Sequence, residues 1–236
     1  MILPVVDLMA GQAVRGIGGR RDEYGPLIPE SDPLAVARGF RERFGLWTVY
    51  LADLDAIAGS LPNLSLYQSL NADGFSLWVD AGVRKTPDAG PLVRAGVSRV
   101  IAGSETLTGP DVLVELVRTL SAKRVVFSLD LKAGRPLVNG EWGTIDPLAI
   151  AARAVDAGIA SLLILDLTRV GVGDGLGTDA LCRECRRLWP KLELIAGGGV
   201  RGPSDLADLA SIGVNHVLVA SALHDGRLSR HDVTSR

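Results

Sequence analysis

Short runs rich in Val, Ile and Leu alternate along the chain with longer segments whose apolar residues recur every three or four positions. The runs lie at 2–6, 47–52, 76–80, 99–102, 124–129, 161–166, 192–196 and 216–220. Between them, stretches such as "DPLAVARGFRERF" (32–44), "PDVLVELVRTL" (110–120), "DPLAIAARAVDAG" (146–158) and "TDALCRECRRLW" (178–189) carry helical periodicity. Near-continuous apolar strands separated by amphipathic helices predict a parallel sheet covered on its outer face. Eight such units in 236 residues predict an α/β fold of one domain, a closed (βα)8 TIM barrel. A doubly wound open sheet is the alternative, but no G-x-G-x-x-G follows the first run.

The pattern repeats itself. "GVRKTPDAGPLVRAGVSRVIAGSETL" (82–107) aligns without gaps on "GVRGPSDLADLASIGVNHVLVASALH" (199–224). One offset relates Gly82 to Gly199, Gly96 to Gly213 and Ser104 to Ser221. Upstream, "LPVVDLMAG" (3–11) echoes "VFSLDLKAG" (126–134), pairing Asp7 with Asp130, and "YLADLD" echoes "LILDLT", pairing Asp53 with Asp166. The chain therefore reads as two half-barrels, 1–122 and 123–225, followed by a polar tail, 226–236, whose last residues, "SRHDVTSR" (229–236), are expected to fray. The interval from Asp7 to Asp53 exceeds that from Asp130 to Asp166. The excess is assigned to "RGIGGRRDEYGPLIPES", a loop that would bring Arg20, Arg21 and Tyr24 over a substrate.

Composition narrows the function. A net charge of −2, with 47% hydrophobic and 22% charged residues, fits a globular protein and gives no electrostatic reason to expect nucleic acid or a membrane as partner. The opening "MILPVVDLMAG" meets Asp7 early and lacks the basic and long apolar regions of a secretion signal, which predicts a cytoplasmic protein. Cys182 and Cys185, in "CREC", have no second pair or histidine partner to complete a zinc set and are expected as buried or half-buried thiols of a reducing compartment. His216, His224 and His231 have no partner visible in sequence. The oligomeric state is expected to be monomer or homodimer.

In a (βα)8 barrel, chemistry sits at the C-terminal ends of the strands. Asp7 and Asp130 then face each other across the mouth, where paired carboxylates divide the roles of general base and general acid if their surroundings split their pKa values. Gly197, Gly198 and Gly199 present successive amides before a helix, and Ala220 and Ser221 open a neighbouring one. Together they predict a phosphate cradle built from the loops after the seventh and eighth strands.

Half-barrel duplication with "PVVDLMAGQAVRG", "DLD", "GVR", "AGS", "AGGGV" and "VASAL" resembles the sister barrels of histidine biosynthesis, the ribotide isomerases and the cyclase subunits of imidazole glycerol phosphate synthase. The resemblance covers nearly the whole chain. Arg15 and Trp142 incline it towards the isomerases. It implies a substrate with a phosphate at each end, an Amadori-type aldose–ketose rearrangement with Asp7 as base and Asp130 as acid, and no metal or redox cofactor. The remaining substrate-facing positions are then Arg15, Asp53, Asp80, Gly82, Gly103, Ser104, Glu105, Trp142, Asp166 and Thr168. Relatives of this kind are also linked with pterin-type one-carbon cofactor pathways.

The departures from the family are specific. Leu165 stands at the catalytic threonine and Val170 at the second acid of the T-D-x-x-R-D-G-T pattern, and neither can exchange a proton through its side chain. Thr168 is a nearby candidate to compensate. "DAGVR" replaces G-G-G-V-R, so that Asp80 and Ala81 stand at two glycines of the N-terminal phosphate site, and Glu105 replaces a small residue of the adjoining loop, with Arg84 and Lys85 as potential counter-ions. Carboxylates repel phosphate unless they protonate or pair with a cation. The expected ligand is a small metabolite with one phosphate on Gly198, Gly199 and Ser221 and a neutral or cationic far end. Three readings follow: an isomerase-like enzyme shifted in substrate, the histidine-pathway isomerase itself, and a non-enzymatic phosphate-ligand sensor or partner subunit.

Overall fold

The computed structural model describes residues 1–234. Eight parallel strands form the barrel: β1 (Ile2–Met9), β4 (Thr48–Asp53), β5 (Ser76–Asp80), β6 (Arg99–Gly103), β7 (Val125–Lys132), β9 (Ser161–Asp166), β10 (Glu193–Gly197) and β11 (His216–Val219). They pair in that order, and β11 pairs back onto β1, with Ile2 opposite Val217 and Leu3 opposite Leu218. The other strands, β2 (Gln12–Arg15), β3 (Gly25–Pro26) and β8 (Arg135–Pro136), extend β1 and β7 as antiparallel hairpins at the rim. The principal outer helices are α1 (Pro33–Phe44), α3 (Leu64–Ala72), α4 (Ala89–Arg94), α5 (Pro110–Leu120), α6 (Pro147–Asp156), α7 (Asp179–Leu188) and α8 (Pro203–Ile212). Short helices α2 (Leu54–Ile57) and α9 (Ser221–His224) lie at strand ends, and α10 (Arg230–Thr234) follows.

Two-residue alternation along each strand sorts the side chains into two cores. Outward residues such as Phe127, Leu129, Leu162 and Ile164 pack against the helices. Inward residues Leu3, Tyr50, Trp78, Ile101, Val126, Leu163, Ile195 and Leu218 fill the barrel's waist. The duplication extends to the backbone. Ala10 and Ala133, paired in the repeat, both take left-handed conformations (φ +50° and +52°), and Gly11 and Gly134 share φ +76°. Gly96 and Gly213 match as well, at +90° and +88°.

One expectation changes. The segment after α9 is not simply a frayed tail: Leu228 is buried, Val233 packs against the outer core, and α10 lies against α1. The last two residues, 235 and 236, lie outside the described ones. Cys182 and Cys185 are buried free thiols on the inner face of α7, as expected.

Below the waist, a polar plug closes the barrel. Glu193 accepts hydrogen bonds from Arg99 Nη1 (2.5 Å), Ser161 Oγ (2.5 Å) and His216 Nε2 (2.6 Å). The Arg99 guanidinium also lies 4.2 Å from the Trp78 ring centre. Burial opposes the Glu193 charge, but the donors from His216, Arg99 and Ser161 outweigh it and bring its pKa down to about 2. The folded pKa is below the unfolded one, so this stability is present above about pH 4.5 and fades as pH falls towards 2. Glu193→Gln is therefore expected to destabilise the fold by about 2 kcal/mol at neutral pH. In chemical denaturation the difference from the unmodified chain should narrow in acid, and a constant difference down to about pH 3 would contradict this role.

Candidate active site

The same alternation that fills the waist delivers acids to the rim. Asp7 follows Leu3 and Val5 on β1, Asp130 follows Val126 and Ser128 on β7, and Asp80 follows Trp78 on β5. The ladders set Asp7 level with Ala52, and Ala52 level with Asp80. Since β7 is four strands from β1 around the barrel, Asp7 and Asp130 occupy opposite sides of the mouth. Asp7, Asp80, Glu105 and Asp130 line a single cavity with Tyr50, Leu165, Val170, Gly198, Gly199 and Ser221. The loop after β2 adds Gly19, Arg21 and Tyr24 to its wall.

The acids differ in their surroundings. Burial lifts the Asp7 pKa to about 6, partly offset by the Arg21 charge. Burial lifts Asp130 well above the carboxylate range, reinforced by Glu105 and Asp80, against one hydrogen bond from Ser128 Oγ (2.8 Å) and the charge of Arg21. Its second oxygen, Oδ2, is buried without a partner. The neighbouring residue on β9 is Leu165, paired with Asp130 in the ladder, so no hydroxyl answers it there. Asp80 is lifted to about 7, mainly by burial, although the Gly82 amide donates to it at 3.1 Å. Both carboxyls are thus pushed towards the protonated form, Asp7 with the Arg21 charge opposing the shift and Asp130 with Glu105 and Asp80 adding to it.

The halves differ in what crosses their glycines. A Cβ on Gly199 would lie 2.5 Å from the Gly175 carbonyl oxygen, because the loop "GVGDGLG" passes directly over it. Gly171 and Gly173 of that loop, with Gly198, Gly199, Ser221 and Ala222, leave an open cradle. In the N-terminal half a Cβ on Gly82 would lie 2.6 Å from the Ile57 Cα. There the crossing segment is α2, whose Leu54 and Ile57 side chains enter the cavity. Glycines line the cavity at one half, and the apolar Leu54 and Ile57 line it at the other.

The model of a family described as "Histidine biosynthesis protein" matches residues 1–229. The chain belongs to this family. It is 33% identical over 231 residues to 1-(5-phosphoribosyl)-5-((5-phosphoribosylamino)methylideneamino) imidazole-4-carboxamide isomerase of Deinococcus radiodurans, covering 96% of this chain and 94% of the relative. The isomerase of the same name from Halobacterium salinarum is 33% identical over 98% of this chain and 94% of its own length. An uncharacterized protein of Methanocaldococcus jannaschii is 32% identical over 100% of this chain and 98% of its own. Identity at this level is thus shared by proteins with and without an assigned activity.

Several positions that the histidine biosynthesis family would turn towards substrate serve the scaffold here. Asp53 is buried and accepts from the Ala56 and Asn63 amides and the Tyr67 hydroxyl. Asp166 accepts from the Ala133 and Gly134 amides and from both donors of Thr168, whose hydroxyl approaches to 2.6 Å. Burial works against its charge, but these bonds hold the pKa below the usual value. Thr168, with its hydroxyl on Asp166, does not replace the missing threonine at Leu165. Ser104 donates to the Leu137 carbonyl (2.7 Å) and accepts from the Asp130 amide (3.2 Å), so it is turned away from the cavity that its repeat partner Ser221 lines. Gly103 gives Asp130 Oδ2 room, since a Cβ there would lie 3.2 Å from it.

Trp142 is buried outside the barrel, packed at a tilt against Phe127 (5.1 Å between ring centres) with its indole N–H on the Leu107 carbonyl. Arg15 pairs with Asp225 (2.8 Å) beside a small side pocket that reaches Asp7 and Ser221. Gly197 packs against Leu218 and ends its strand, while Ala220 lines the cavity. The expected counter-ions also change. Arg84 donates to the Gly82 and Ile57 carbonyls, whereas Arg21 pairs with Glu105 at 3.1 Å. Arg20 turns outward onto Glu23.

Sequence reasoning missed Arg227. It lines the cavity near the cradle and donates to the Val200 carbonyl (3.3 Å), with Asp225 as its ion-pair partner. Its only signal in sequence was a cation six residues beyond Ser221, inside a stretch read as tail.

Crystals soaked in phosphate should show one anion on Gly198, Gly199 and Ser221, and a second at Asp80 and Glu105 would contradict the asymmetry. Asp80→Asn should stabilise the fold at about pH 8 by a few kcal/mol and have little effect near pH 4, because the folded pKa exceeds the unfolded one and its cost appears only as pH rises. Thermal melts across that range would check the sign.

Proposed function

We propose that the chain is an isomerase-type enzyme acting on a phosphorylated sugar or amino-sugar derivative, shifted in substrate from the histidine-pathway isomerases. The observation that carries this reading is the pair of carboxyls at equivalent strand ends of opposite half-barrels, in one cavity, with their pKa values displaced to different extents. Asp130 donates its proton to the ring oxygen of a glycosylamine as the C1–O bond breaks and the nitrogen lone pair forms the iminium. Asp7 removes the proton from C2, giving the enaminol. Return of a proton to C1 and loss of the hydroxyl proton yield the aminoketose, so no atom is gained or lost. The cradle of Gly198, Gly199, Ser221 and Arg227 holds the phosphate. Leu165 and Val170 in the cavity wall favour this reading over the histidine-pathway isomerase itself, and retention of both acids favours an enzyme over a phosphate sensor.

The test is hydrogen exchange. Phosphorylated glycosylamines incubated with the protein in D2O should gain deuterium at carbon for at least one member of a panel. Asp7→Asn and Asp130→Asn should each slow the exchange by about 10²- to 10⁴-fold while phosphate still binds. The rate should rise through about pH 6 as Asp7 ionises. Equal exchange by the variants, or none with any panel member, would overturn the reading. Growth of an isomerase-deficient histidine auxotroph carrying this chain would instead support the histidine-pathway activity.

A further inference from the structure

We propose that the Asp80–Glu105 end of the cavity binds a cationic, hydrogen-bond-donating group of the substrate, such as an ammonium, where the opposite half holds phosphate. The inference rests on the phosphate cradle of the reading above and specifies the far end of the molecule seated in it.

Three carboxyls, Asp80, Glu105 and Asp130, share this part of the wall. They act on one another electrostatically, Glu105 and Asp80 on Asp130 and Glu105 on Asp80. A second observation points to a ligand. Asp130 is 5% exposed, lines the cavity and has a buried Oδ2 with no hydrogen-bond partner. A buried polar oxygen in that position is costly unless a hydrogen-bonding partner reaches it. Among the described residues lining the cavity the basic ones are Arg21 and Arg227, and Arg227 stands at the cradle. Arg21 alone faces the acids, held by one half-exposed ion pair to Glu105. Such a pair is weak, and the loop that carries it contains Gly16, Gly18 and Gly19. Arg21 therefore occupies a seat from which a desolvated substrate cation can displace it.

A second phosphate does not suit this end. Burial and mutual repulsion already weigh on its carboxyls, and another anion adds to both. Leu54 and Ile57 fill the space that glycines leave open in the other half. A metal ion is not favoured either, because among the described residues no three His, Cys, Asp or Glu side chains gather as a ligand set. A compact ammonium supplies several donors to carboxyls that share one stretch of wall.

The experiment compares length-matched probes by titration calorimetry: α,ω-aminoalkyl phosphates, the corresponding alkyl phosphates, and the corresponding α,ω-bisphosphates, each over a graded series of chain lengths. At the best length the aminoalkyl phosphate should bind about tenfold more tightly than the alkyl phosphate, and the bisphosphate more weakly than either. In the double variant Asp80→Asn/Glu105→Gln the amine preference should vanish while inorganic phosphate binds as before. Equal affinities for amine and alkyl probes at every length, or a preference for the bisphosphate, overturn the inference and leave the cradle and the acid–base pair standing. Failure of inorganic phosphate to bind overturns the cradle and the inference together. Loss of deuterium exchange alone concerns only the chemistry.

Discussion

At Gly82 and at Gly199 a βα loop from the preceding unit crosses a strand end so closely that a Cβ would fall 2.6 Å and 2.5 Å from backbone atoms. Contacts that short admit glycine alone, with φ +63° and +83° respectively. The constraint is common to the two halves, and it fixes where each crossing segment lies at the mouth. What differs is the segment. In the C-terminal half it is a run of alternate glycines, which leaves a hollow. In the N-terminal half it is a short helix, which brings Leu54 and Ile57 into the same volume. A duplicated backbone with one filled and one open end cannot treat the two ends of a ligand alike.

Between the rim and the Glu193 plug lies an apolar waist with Tyr50 and Trp78 as its largest members. Side chains at the rim therefore have hydrocarbon beneath them and water only from above. That geometry raises the pKa of the acids that point inward. Asp166 escapes, since four hydrogen bonds at the loop base outweigh its burial. Asp7 and Asp80 are both raised chiefly by burial, and the Arg21 charge opposes the rise at each. Which acids are raised follows from which carboxyls the scaffold satisfies with hydrogen bonds.

The barrel, its strands and its duplication were legible because each rests on period and repetition, which survive in one dimension. The opposed Asp7 and Asp130 followed from topology alone. The partners of individual side chains did not. Asp53 and Asp166 read as ligands because they follow strands in both halves, yet the amides that occupy them come from segments whose placement depends on tertiary packing. Arg84 looked like the counter-ion of Asp80 through proximity in sequence, but its guanidinium is spent on the Gly82 and Ile57 carbonyls. Arg21, much farther along the chain, reaches Glu105 because the hairpin of β2 and β3 folds its loop over the mouth. Trp142 was placed by analogy in a loop that here packs onto the outer face of β7.

Leu165 and Val170 look like losses when compared with a threonine and an acid. In place they change the medium rather than simply deleting groups. Leu165 stands beside Asp130 in the ladder and withholds the hydroxyl that would stabilise a carboxylate there. Val170 packs near Gly16, close to Asp7, where a side chain on that glycine would meet both. Less hydrogen bonding and more hydrocarbon favour the protonated form of a carboxyl, so Leu165 beside Asp130 and Val170 beside Asp7 act in the same direction as burial does. The rim thereby carries fewer polar groups, each more strongly perturbed.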